Sequence, residues 1–275
     1  MTELLEHPNL AVQTLVAARI GVKSTLEETR TQRLLGIAKR AGVLPVPLRY
    51  YAAHTGRWGG SDKLNMQNLP SRGSNTIKQS ILAPDGYVLI DADSSQIEAR
   101  TLAWLSGQYD LVNAFANDED VYKIMASQIY GKPQEEITKN ERFVGKSVIL
   151  GSGYGMGHEK FKNQLAGFNV DIDVEEAKNI IAIYRKTYDH IPALWRQANR
   201  CLDALHRNQS CQLGKHPKAI RLDEGGFYLP NGMLLTYPQL ELDQEDNYSY
   251  ISRNSRTKIY GGKVIENVCQ ALARC

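Results

Sequence analysis

Between residues 97 and 205 apolar side chains recur at three- and four-residue intervals through one long block, and strand-forming runs stand on either side of it. Ile97, Leu102, Ala103 and Leu105 open the block, and Leu111, Ala114 and Phe115 continue it beyond Gly107. The same rhythm predicts helices over 121–129, 141–150, 175–188 and 191–205, with Pro133, Gly157, Gly167 and Pro192 as the breaks. Upstream, Tyr87-Val88-Leu89-Ile90-Asp91 follows the turn residues Pro84-Asp85-Gly86 and reads as a strand. Downstream, Phe227-Tyr228-Leu229 and Met233-Leu234-Leu235-Thr236-Tyr237 flank Pro230-Asn231-Gly232, the signature of a hairpin. Tyr248 to Ile251 reads as a further strand, before a last helix from about Lys263. This order implies an α+β fold in which a helical subdomain is inserted between pieces of a sheet.

The remaining features constrain less. Residues 9–40 are rich in Ala, Leu, Glu, Lys and Arg at helical spacing, and Ser24 with Glu27 makes a capping-box pattern for the helix through Leu35 and Ile37. Residues 42–74 carry Pro45, Pro47, Pro70 and several glycines and read as loop. A chain of 275 residues with 42% hydrophobic composition holds enough apolar material for a real core. A formal net charge of +3 suits a nucleic-acid partner and a metabolic enzyme alike, so it decides nothing. Cys201, Cys211, Cys269 and Cys275 show neither CxxC spacing nor a companion histidine cluster, which argues for reduced thiols over a zinc site or a disulfide framework. No stretch approaches the roughly 18 apolar residues of a membrane span, and Met1-Thr2-Glu3 lacks the features of a signal peptide. No membrane partner is therefore expected, and the cytoplasm is the expected compartment.

Two segments carry chemistry. A carboxylate leaving the end of a buried strand, just before a helix, is well placed to hold a metal ion. Strand alternation puts Tyr87, Leu89, Asp91 and Asp93 on one side, so it does not choose between Asp91 and Asp93, and either would equally serve as a helix cap. Farther on, Arg142, Lys146, Leu150 and Tyr154 recur every four residues, a step that drifts by only about 40° on an α-helix. Two cations, an apolar residue and an aromatic along one slanting stripe suit a nucleoside triphosphate. A solvated basic face above a buried Leu and Tyr would have the same pattern.

Asp93-Ser94-Ser95-Gln96-Ile97-Glu98-Ala99-Arg100 resembles motif A of the family A DNA polymerases, Asp-Tyr-Ser-Gln-Ile-Glu-Leu-Arg. Arg142, Lys146, Leu150-Gly151 and Tyr154-Gly155 are similar to motif B of that family, Arg-x3-Lys-x3-Phe/Tyr-Gly-x2-Tyr-Gly. Thr55-Gly56-Arg57, Asn65-Met66-Gln67-Asn68-Leu69-Pro70 and the stretch from Tyr260 to Gln270 resemble further family elements, in the family's order from about residue 40 onward. The resemblance implies a right-hand polymerase: an antiparallel palm sheet with an inserted helical fingers subdomain and the thumb only as a remnant. Residues 1–40 would be the thumb remnant and the approach to the palm, 41–100 the palm with motif A, 101–225 the fingers with motif B, and 226–275 the palm hairpin and final helix.

The same resemblance assigns roles. It implies that Asp93 binds two catalytic Mg2+ ions, that Ser94 lends its carbonyl to one of them, and that Glu98 is a steric gate against a ribose 2′-OH. Arg142 and Lys146 would clasp the triphosphate of a dNTP, Lys146 also as a proton donor to the departing pyrophosphate. Gln96 and Leu150 would help to form the nucleotide pocket, and Tyr154 would lie beside the templating base. Arg57, Gln67, Asn68, Lys78 and Gln270 are the implied contacts to primer-template DNA, whose minor-groove acceptors are present whatever the sequence. Ser94 replaces the usual Tyr, Tyr122 stands where many relatives have a phosphate-contacting His, and Leu150 replaces an aromatic, a choice familiar in polymerases of bacterial viruses. The implied activity is DNA-directed DNA synthesis of viral type, in the cytoplasm of a bacterial host.

Two-metal phosphoryl transfer needs a second carboxylate, which the family supplies in a His-Asp-Glu segment, motif C. No His-Asp-Glu follows Gln270. The expectation is therefore a polymerase portion inactive alone: a shortened gene, a split enzyme completed by a downstream polypeptide, or a gene interrupted at Cys275, since inteins begin with cysteine. A non-catalytic DNA-binding polymerase remnant is the rival reading. A single-subunit RNA polymerase is a third, against which Glu98 argues.

Overall fold

A computed structural model describes residues 2–21, 26–69, 76–216, 219–252 and 254–274. Ser24 of the expected capping box, Pro70 and Cys275 lie outside the described residues. The chain divides into two units, one of residues 1–50 and 58–91, the other of residues 51–57 and 92–275. Among the described residues no helix is long and apolar enough to cross a membrane.

The first unit holds the helices expected near the N-terminus, α1 (Leu10–Gly21) and α2 (Leu26–Ala41). Strands β1 (Leu48–Arg49) and β2 (Gly59–Gly60) pair antiparallel. A Cβ on Gly60 would stand 2.4 Å from that of Asn65, so only glycine allows this turn to close. The Asn65 Oδ1 accepts from the Gln67 backbone N–H and starts a single 3-10 turn, Met66–Asn68, that leaves Gln67 and Asn68 exposed. Helix α3 (Thr76–Gln79) follows.

The strand expected over 87–91 does not form. Val88 and Ile90 are 83% and 82% exposed, and Tyr87 and Leu89 are exposed as well. β-Branched and aromatic residues favour a strand only where a neighbour takes their backbone hydrogen bonds and covers a face. No described strand pairs with this run. Asp91 and Asp93 therefore do not alternate along a buried strand, and the expectation of a strand-end carboxylate is corrected to one of an open approach to a helix.

In the second unit α4 (Ile97–Ser106), α5 (Tyr109–Ala116), α6 (Val121–Tyr130), α7 (Lys139–Ser152), α8 (His158–Ala166), α9 (Val174–Thr187) and α10 (His190–His206) form the helical block. Helix α8 lies between Gly157 and Gly167, the residues expected only as breaks, and buries Phe161 and Leu165 completely. Local signals set the starts. Thr138 and Glu141 form a reciprocal capping box on α7, and Asp120 and Asp173 cap α6 and α9. The backbones of α6 and α7 meet closely at Gly145, where a Cβ would stand 2.3 Å from the Tyr122 carbonyl oxygen.

An antiparallel sheet follows in the order β3 (Cys211–Leu213), β4 (Ile220–Asp223), β5 (Gly226–Tyr228) and β6 (Leu234–Leu235). Strands β5 and β6 are the expected hairpin, with Phe227 opposite Leu235 and Gly232 at a φ of 77° in its turn. A second antiparallel sheet joins β7 (Glu241–Leu242), β8 (Tyr248–Ser252) and β9 (Ser255–Ile259), and the chain runs into α11 (Gly261–Leu272). One apolar core extends from Leu102 and Leu105 through Met125, Val148, Tyr184 and Leu202 to Leu222, Phe227 and Val264. The fold is α+β, with antiparallel sheets beside a long helical block.

Candidate nucleotide and nucleic-acid site

Four side chains of α6 and α7 meet at the head of α6. One oxygen of Asp120 accepts from the backbone N–H groups of Tyr122 and Lys123, both at 3.2 Å, and the other accepts from Arg142 Nε at 2.6 Å. Burial works against the charged carboxylate, but the Arg142 guanidinium and the two N–H groups outweigh it and hold the Asp120 pKa below its ordinary value. The Arg142 guanidinium carbon and Lys146 Nζ stand 5.3 and 5.8 Å from the centroid of the buried Tyr122 ring, within cation–π reach. Arg142 spends only Nε on Asp120, and 40% of its side chain is exposed, so the outer edge of its fork can reach an anion.

The expected stripe is three-quarters helical. Leu150 follows Arg142 and Lys146 along α7 and is 42% exposed, but the helix ends at Ser152. Tyr154 sits on the turn beyond, its N–H reaching the Gly151 carbonyl at 3.4 Å, with Gly155 at a φ of 85°. The Tyr154 hydroxyl is buried beside the Cys269 thiol without a well-aligned hydrogen-bond partner. Burial, then the neighbouring Cys269 and Glu98, push its pKa far above the ordinary phenol value, so it stays neutral.

The segment around motif A is open by contrast. Asp93 and Ser94 are exposed, and Asp93 makes no ion pair with a described residue, whereas Asp91 pairs with Lys78. Gln96 starts α4 with a φ of 51°, and its Oε1 accepts from the Ser95 hydroxyl. Arg100 donates to the backbone carbonyls of Ser95 and Phe115, both at 3.0 Å, and so ties the start of α4 to the end of α5. Glu98 and Arg57 form an ion pair at 3.1 Å, an exposed contact of the kind worth only about 0–1 kcal/mol. The Thr55 hydroxyl donates to Gln270 Oε1, and a Cβ on Gly56 would lie 2.7 Å from Arg274 Nη1, so the Thr55-Gly56-Arg57 turn rests on α11.

Arg57, Glu98 and Gln270 are thus grouped through α4 and α11, and Arg142 and Lys146 are grouped over Tyr122. Gln67, Asn68 and Lys78 belong to the other unit. Among the described residues no three His, Cys, Asp or Glu side chains converge as a metal cluster. The sequence reading missed two residues. Asp120 was legible as a polar residue immediately before the helix that starts at Val121. His54, its Nε2 buried and unpartnered and its ring 5.4 and 5.5 Å from those of Tyr237 and Tyr250, had no signal in the sequence. Burial lowers its pKa.

A family model described as DNA polymerase family A matches residues 5–210. The chain belongs to that family. This family A chain is 34% identical over 173 residues to DNA polymerase I of Pseudomonas aeruginosa, a match that covers 62% of this chain and 18% of that protein. It is 33% identical over 159 residues to the thermostable DNA polymerase I of Thermus aquaticus, covering 57% and 18%. It is 26% identical over 270 residues to the DNA polymerase of Bacillus phage SP02, covering 82% and 41%. Among solved structures, the POL domain of Pol1 from M. smegmatis, in complex with DNA primer-template and dNTP, matches with a TM-score of 0.56 and 27% identity, over 73% of this chain and 34% of that one. The chain spans less than half the length of each of these relatives.

Proposed function

We propose that this family A chain carries the nucleotide-binding portion of a DNA-directed DNA polymerase of viral type, which adds dNTPs to a primer 3′-OH on a DNA template. The observation that carries this reading is the pair Arg142 and Lys146, held over Tyr122 with Arg142 anchored by Asp120. Two oriented cations at the surface of a rigid helix pair stabilise a triphosphate and the charge that develops as pyrophosphate leaves. The M. smegmatis relative, bound to primer-template and dNTP, supports these ligands, and the phage SP02 match, which covers 82% of this chain, supports the viral type. Residues 1–40 are assigned to a thumb remnant, 41–100 and 226–275 to the palm, and 101–225 to the fingers, and the enzyme is assigned to the cytoplasm.

Mg2+ takes one or two carboxylates and fills its remaining positions with water and phosphate oxygens. Asp93, exposed and without an ion pair among the described residues, with the Ser94 carbonyl next to it, fits one end of such a site. Bound metal supplies Lewis-acid stabilisation of the reacting oxygens. Side chains of the chain supply the rest. Arg142 and Lys146 hold the phosphates, and Lys146 carries the proton for the leaving group. Glu98 excludes a 2′-OH, Gln96, Leu150 and Tyr154 shape the pocket, and Arg57, Gln67, Asn68, Lys78 and Gln270 contact primer-template. The second metal-binding carboxylate is assigned to a His-Asp-Glu segment, which these 275 residues do not contain.

The test is primer extension with Mg2+, by the chain alone and after addition of a polypeptide carrying the His-Asp-Glu segment. Extension is expected only after addition, and Asp93→Ala should lower it by at least about 10²-fold. Robust synthesis by the chain alone overturns the need for an added carboxylate. Salt-dependent DNA binding with no nucleotide transfer under either condition overturns the polymerase reading in favour of a non-catalytic DNA-binding remnant.

A further inference from the structure

Gly155 also lines a second cleft, of about 350 Å3, together with Arg185 of α9, Trp195, Arg196 and Asn199 of α10, and Tyr260 just before α11. Apart from Gly155, none of these residues has a role in the site described above. We propose that this cleft binds one nucleotide of single-stranded DNA, its base stacked on Tyr260 and its phosphate held by Arg185 and Arg196. The choice of DNA as ligand rests on the polymerase reading; the shape and chemistry of the cleft do not.

Tyr260 is 51% exposed, and no ring of the described residues stacks on it. It rests on glycine backbone: a Cβ on Gly155 would be in ordinary contact with Tyr260 Cε2 at 3.6 Å, and one on Gly262 would crowd it at 3.0 Å. Trp195 is fixed as a wall, with its Nε1–H donating to the Gly153 carbonyl at 2.9 Å and the Arg185 guanidinium 5.7 Å from its ring. Asn199 Oδ1 accepts from the Gly261 N–H at 2.6 Å. Its amide nitrogen is thereby left as a donor for a base carbonyl or a phosphate oxygen. Arg196 is exposed and makes no ion pair with a described residue, and among the described residues no acid lines the cleft. An open aromatic face, two arginines and an amide donor, with no carboxylate, are what one nucleotide of an unpaired strand requires.

Binding of fluorescent oligo(dT) to the full chain, without primer-template or Mg2+, tests this directly. Tyr260→Ala should weaken binding about 5- to 10-fold, the loss expected for one stacked base. Arg196→Ala should lower the slope of log K against log salt by about 0.7, the value for one phosphate contact on a single strand. Arg221→Ala, on β4 outside the cleft, should leave the affinity within about twofold. Native affinity and salt slope in both cleft variants, or equal weakening by Arg221→Ala, overturns the proposal. Primer extension by the completed enzyme separates the two readings. Oligo(dT) binding that depends on Tyr260 without any nucleotide transfer removes the polymerase and keeps the cleft. Nucleotide transfer with oligo(dT) binding indifferent to Tyr260 and Arg196 does the reverse.

Discussion

The two segments that resemble polymerase motifs fold by different rules. The α7 segment is closed on itself, with a capping box at one end, an aspartate from the preceding helix on its arginine, and Val144, Val148 and Ile149 in the core. The segment before α4 is open, with apolar side chains from Tyr87 to Ile90 in solvent and Asp93 in no ion pair with a described residue. A helix satisfies its backbone within its own residues, whereas a strand satisfies its backbone only by pairing with another. The helical segment proposed to hold phosphates can therefore be complete in this chain while the approach to Asp93, the proposed metal ligand, is not covered by any described strand.

This difference predicts that substitutions act on stability in graded fashion from the helical block to the open segment. Phe161→Ala removes a fully buried ring from α8 and should cost about 3–5 kcal/mol in urea unfolding. A cost under about 1 kcal/mol would mean that this end of the block is loosely packed. Gly145→Ala places a methyl against the Tyr122 carbonyl and should cost about 1–3 kcal/mol, despite alanine's better helix propensity. It should weaken dNTP binding at the same time, because the cations lose their register over Tyr122. Thr138→Ala removes one half of the capping box and should cost about 1 kcal/mol.

Acid should separate Asp120 from its neighbours. Its folded-state pKa is depressed, so its stabilisation is fully present above the unfolded value of 3.8 and is lost as pH falls through the folded value. Melting temperatures of the native chain and Asp120→Asn should differ at neutral pH and converge below 3.8. A constant difference would show that the Arg142 pair contributes nothing through ionisation. The smallest effect is expected in the open segment, where Ile90→Ser should change stability by no more than about 0.5 kcal/mol, as for other exposed side chains. A loss above about 2 kcal/mol would show that Ile90 is covered in solution.

Legibility in the sequence followed the same division. The helices at 121–130, 139–152, 174–187 and 190–206 were visible because periodicity, caps and breaks are all local, and the hairpin at Asn231-Gly232 was visible because its turn chemistry is local too. The strand expected at 87–91 rests on residue preference and a preceding turn, and neither gives a partner. β4 shows the converse: Ile220, Arg221 and Leu222 alternate buried, exposed and buried, but the run is too short to register as a pattern until β3 and β5 flank it. At the site, spacing alone placed Arg142, Lys146 and Leu150 on one helix, and it carried Tyr154 one turn too far along it. The Asp120 to Arg142 bond spans two helices, and the pairing of Arg57 with Glu98 joins residues far apart in the chain, so neither was available to periodicity.

Gly145 has a mechanical consequence for the proposed phosphate cradle. With the α7 backbone seated directly on the Tyr122 carbonyl, the gap between the Tyr122 ring and the two cations is set by main-chain contact, not by adjustable side-chain packing. The jaw of this clamp has no hinge at that point. On the proposed reading, a longer or shorter polyphosphate would have to be met by swinging Arg142 and Lys146 about their own bonds, since the backbone contact at Gly145 leaves the two helices no room to close further.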